Sequence, residues 1–118
     1  MLFALLACAE PQTETIPAVF EGTSEDGVVT WVLDFGTDPI VGDAEVVLTQ
    51  SIDGLPLEVE PAIEPWMPDH GHGVSEPPVV EDLGGGEYAA TWTWSMAGAW
   101  EVRLEADGHE GAIDVVVR

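Results

Sequence analysis

The chain has 118 residues, 46% of them hydrophobic and five of them Trp, so it can form one domain with a real core and is too apolar for a disordered chain. Against 23 Asp and Glu stand only Arg103 and Arg118 and no Lys, giving a formal charge of −21. Two guanidinium groups cannot build a basic patch, which excludes nucleic-acid binding and disfavours attraction to anionic lipid; the acidity instead serves solubility and raises the local concentration of cations.

Residues 2–7 form an apolar run that ends at Cys8, the only cysteine. Six residues are too few to span a bilayer, which needs about 20. The run is also shorter than an ordinary signal core, and no basic residue precedes it. Leu5-Leu6-Ala7-Cys8 resembles the bacterial lipobox, in which cleavage leaves the cysteine first and acylated. This implies a truncated signal segment over 1–7, whose true start lies upstream, and lipidation of Cys8. The polar stretch that follows, with Glu10, Pro11, Gln12, Thr13, Glu14 and Thr15, reads as the start of a lipid-anchored tether over 8–26. A single cysteine permits no internal disulfide and no CxxC motif.

From residue 27 to 118 the pattern is that of strands and turns. Period-two alternation recurs, and no stretch sustains helical periodicity. Strands are expected over 27–35, 43–50, 57–64, 79–83, 87–96, 100–106 and 112–118, separated by Gly, Pro and Asp turn signals. Pro61 marks the third as an edge strand or a broken one. In the fifth, Tyr88, Ala90, Trp92, Trp94 and Met96 share one face. About seven short strands predict an all-β, immunoglobulin-like antiparallel β-sandwich, with a small barrel as the alternative. Tyr88, at the start of the strongest strand, resembles a tyrosine corner with a structural role.

The longest irregular segment, 65–78, contains Met67-Pro-Asp-His-Gly-His-Gly73. His70 and His72 have the spacing at which an extended backbone turns both imidazoles the same way. Met67 adds a thioether, and Met96 a second one at the end of the best strand. Two His and two Met form a soft to borderline donor set suited to copper, above all Cu(I). Asp69 offers a harder alternative with the two imidazoles, for Cu(II) or zinc. The same residues are open to a plainer reading, with Gly supplying turns, imidazoles bonded to backbone, and Met67 and Met96 packing the core. His109, in the Asp107–Glu110 turn, reads as an exposed surface residue. No nucleophile elbow, phosphate loop or catalytic carboxylate pair is present, so the chain is expected not to be an enzyme.

The loop Met67–Gly73, the triple glycine 84–86 before Tyr88, and Met96-Ala-Gly-Ala-Trp100 together resemble the YtkA-like domain family over roughly residues 28–117. In layout the chain is also similar to FixH-like and copper-resistance envelope domains. The resemblance implies an exported immunoglobulin-like domain that handles copper in the bacterial envelope, with Met67, His70, His72 and Met96 as metal ligands. It places the domain on the periplasmic side, held to the membrane only through the lipid on Cys8, with a metal ion or an envelope protein as its partner. The alternative is a protein-interaction or structural lipoprotein domain that binds no metal.

Overall fold

The computed structural model describes residues 18–118; the signal segment and Cys8 lie outside the described residues. Ten strands form two antiparallel sheets. They are β1 (Val19–Thr23), β2 (Val29–Asp34), β3 (Gly42–Ile52), β4 (Leu55–Pro56), β5 (Ala62–Met67), β6 (His72–Gly73), β7 (Val79–Gly84), β8 (Glu87–Trp94), β9 (Gly98–Ala106) and β10 (His109–Val117). The first sheet runs β1-β2-β3-β8-β7 with β4 hairpinned onto β3, and the second runs β10-β9-β5-β6. This is the antiparallel sandwich that the alternation predicts.

The core lies between the sheets because alternate side chains on each strand point inward. The first sheet contributes Trp31, Leu33, Val46, Leu48, Tyr88, Trp92 and Trp94; the second contributes Ile63, Met67, Trp100, Val102, Leu104, Val115 and Val117. Trp94 of β8 and Trp100 of β9 meet across the layers with ring centroids 5.2 Å apart. Burying side chains of this size stabilises the fold by about 1.5–3 kcal/mol each. Tyr88 is fully buried, and burial, then Asp82, Glu58 and Glu60, push its phenol pKa upward. No hydrogen bond from its hydroxyl to upstream backbone is found among the described residues, and Tyr88 serves as a core aromatic.

Among the boundaries that differ from expectation are the end of β8 at Trp94, which leaves Met96 in the following turn, and two others. Val19–Thr23, assigned above to the tether, is β1 and pairs with β2 from Val19↔Asp34 to Thr23↔Thr30. The strand expected over 57–64 begins only at Ala62. The reason lies in Gln50, a fully buried amide on β3. Its Nε2 donates to the carbonyls of Leu57 and Val59, while its Oε1 accepts the indole N–H of Trp31 at 3.0 Å. A side chain therefore satisfies the backbone that a ladder would otherwise pair, and residues 57–61 cross between the sheets as irregular chain.

The register fixes which turns share an end. Gly42 pairs with Trp94 and Gly98 with Val117, so the 68–71 turn, the 95–97 turn and the C-terminus lie at one end. At the other end, Ser24 bridges to Gly111 and Glu25 N–H donates to the Glu110 carbonyl, joining the sheets. There the Asp26 carboxylate accepts from the Ser24 hydroxyl at 2.6 Å and lies 2.7 Å from His109 Nδ1. His109 is thus a half-buried member of a polar clasp and not a free surface histidine.

Candidate metal site

β5 ends by alternating Ile63, Pro65 and Met67 into the core against Glu64 facing out. A tight turn then returns the chain as β6, with Met67 paired to His72 and Trp66 to Gly73. The Met67 carbonyl closes this turn by accepting from the N–H groups of His70, at 3.2 Å, and Gly71, at 2.9 Å. Gly71 has φ of +66°, a left-handed conformation that a side chain would strain. His70 and His72 therefore do not lie along one extended backbone as their spacing suggests: one sits in the turn and the other in the returning strand. Their rings nonetheless lie close together, with centroids 5.7 Å apart and planes inclined by 48°.

The two imidazoles differ in setting. His70 is exposed at the tip. His72 is half-buried, with Nδ1 3.0 Å from the Gly73 carbonyl oxygen. A carbonyl can only accept, so Nδ1 carries the proton and Nε2 keeps its lone pair for a ligand. The His72 ring also stands edge-on to Trp100, with centroids 6.1 Å apart and planes at 74°. The Trp100 indole N–H in turn donates to the Met96 carbonyl at 3.0 Å.

The two thioethers differ in depth. Met67 is 2% exposed, and its methyl carbon occupies the space beside Gly98. Met96 is half-buried against the core in the turn between β8 and β9. Thus His70 and His72 are brought together at the tip, Met67 is buried at the base of their hairpin against Gly98, and Met96 meets Trp100 through its backbone carbonyl. Asp69 is exposed in the same turn, but among the described residues no group of three His, Cys, Asp or Glu side chains converges to hold a metal. A hard donor set built on Asp69 is therefore not assembled, and a metal at this end would draw on thioether sulfur in addition to the imidazoles. Trp100 is the residue that pattern reading missed, because only the pairing of β5 with β9 brings it near His72.

The class of domain is a small antiparallel β-sandwich with a His-Gly-His hairpin at one end. The YtkA-like family model matches residues 23–105, and the chain belongs to that family. Searches for similar curated proteins and for similar solved structures find no match.

Proposed function

We propose that this protein is a cell-envelope lipoprotein whose YtkA-like domain binds copper and holds or passes it on without catalysis. In this reading Cys8 carries the lipid and the domain works on the periplasmic side of a bacterial membrane. The observation that carries the metal reading is the His70–His72 pair, 5.7 Å apart, with the His72 tautomer fixed by the Gly73 carbonyl. Holding one nitrogen by a backbone acceptor orients the ring and frees the other nitrogen as a ligand. Two imidazoles together with thioether sulfur suit Cu(I) better than zinc, which prefers thiolate. The copper, when bound, would supply a redox-active ion in transit; the protein's part is to orient the rings and to shield the sulfurs from water.

The test is titration of the untagged protein with Cu(I) and with Cu(II), beside His70→Ala and Met96→Leu. Weakened binding is the expected result, and unchanged copper affinity in both variants sinks the proposal. A second reading, an interaction or structural domain without metal, is favoured by one observation: Met67 is packed against Gly98 as an ordinary core residue. On that reading, replacing both histidines lowers the melting temperature in metal-free buffer and copper leaves the protein unchanged.

A further inference from the structure

Resting on the copper reading above, we infer that Trp100 is a positioning residue that couples the imidazole half of the site to the thioether half and so sets a preference for Cu(I) over Cu(II). Two contacts carry this. The indole ring packs edge-on against His72, with centroids 6.1 Å apart, and its N–H donates to the Met96 carbonyl at 3.0 Å. One rigid side chain thereby touches the His72 ring and the backbone of Met96, which come from the β5–β6 hairpin and from the turn that crosses between the sheets. Trp100 itself cannot drift: it is 1% exposed and is backed by Trp94 at 5.2 Å. The turn it holds is short, and Gly98, with φ of +137°, lets the chain double back between Met96 and Trp100.

The chemistry then divides by oxidation state. Cu(II) is served mainly by nitrogen donors, and His70 and His72 supply these without help from the 95–97 turn. Cu(I) gains from thioether sulfur, and that gain requires Met96 to be held in place. A residue that fixes Met96 therefore acts on one ion and spares the other.

Trp100→Phe keeps an aromatic ring against Trp94 and His72 and deletes the N–H. The expected result is a loss of Cu(I) affinity of about tenfold, the effect of one good interaction, with Cu(II) affinity within about twofold of the parent. Adding Met96→Leu to Trp100→Phe should then cost little more, because both changes break the same coupling. Additive losses, or an equal fall for both ions, overturn the inference. A second measurement needs no variant. In the parent protein, hydrogen exchange at the Trp100 indole N–H should slow when Ag(I), a diamagnetic stand-in for Cu(I), is bound. Exchange unchanged by bound Ag(I) overturns the inference, while a parent that binds none of these ions overturns the copper reading along with it.

Discussion

Met67 and Gly98 share a single space: the terminal methyl of Met67 lies 2.6 Å from the point where a β-carbon on residue 98 would stand. A β-carbon there would force the flexible end of Met67 aside, so the β5 methionine and the β9 glycine are fitted to each other within the second sheet. Gly98→Ala would also force a φ of +137° on a residue with a side chain. Backbone strain, with a smaller part from moving the Met67 methyl, predicts a loss of about 1–3 kcal/mol. Chemical denaturation measures it, and a loss under about 0.5 kcal/mol, the range of a neutral surface change, would contradict the match.

Gln50 predicts a second large effect. Its buried amide receives the Trp31 indole N–H and donates to two carbonyls of the crossing segment. Gln50→Leu keeps much of the volume but leaves the buried Trp31 indole N–H without its acceptor and the part-buried Leu57 and Val59 carbonyls without their donor. Each such group costs about 1–3 kcal/mol when orphaned. The buried indole dominates, so the substitution should destabilise by about 1–3 kcal/mol, and protease nicking should appear first within 57–61. A stable, uncut variant would refute the account given for that segment.

The Asp26 clasp predicts the acid limb of the stability curve. The Ser24 hydroxyl, and after it His109, hold this carboxyl at about 2 against its ordinary 3.8. The unfolded chain therefore takes up the proton at higher pH than the folded one. The clasp's contribution is complete above 3.8 and is lost as pH falls toward about 2. Asp26→Asn should flatten the change in unfolding midpoint across that window. An acid limb identical to the parent's would show that the clasp contributes nothing.

Charge predicts the response to salt. Arg103 is met by Glu101 at 3.3 Å and Glu64 at 3.9 Å, and Arg118 by Asp38 at 3.8 Å. Among the described residues, most acidic groups thus have no arginine to pair with, and their mutual repulsion is left uncompensated. Raising salt from roughly 0.01 M to 1 M shortens the screening length from about 30 Å to about 3 Å. The melting temperature should climb over that range, whereas a protein held by attractive surface pairs would lose stability.

How much of this was legible in the sequence depends on whether a feature is local. The alternation Tyr88-Ala90-Trp92-Trp94 marks β8 because every second residue is buried, and the structure keeps that parity. β1 escaped because none of its five residues is fully buried, so Val19–Thr23 carries no strong periodic signal. Residues 57–60 alternate like a strand, yet the Leu57 and Val59 carbonyls accept from the side-chain amide of Gln50, a partner that no local window reveals. At the candidate site the His-Gly-His tip could be read from the chain, but its geometry could not: a turn closed on the Met67 carbonyl, not an extended strand, sets the ring spacing. The adjacency of His72, Trp100 and Met96 depends on sheet register, which is a property of the whole fold.

The indoles of Trp92, Trp94 and Trp100 form a continuous run, with successive centroids 5.3 Å and 5.2 Å apart and strongly inclined planes. Two of the three belong to one sheet and the third to the other. Chromophores so close and so inclined couple their electronic transitions, and that coupling gives a signed pair of circular-dichroism bands in the ultraviolet. The optical signature reports whether the two layers remain in register, since a state that keeps its strands but loses its packing loses the native near-ultraviolet signal. The sandwich thus carries a spectroscopic gauge of its own closure, one turn away from His72.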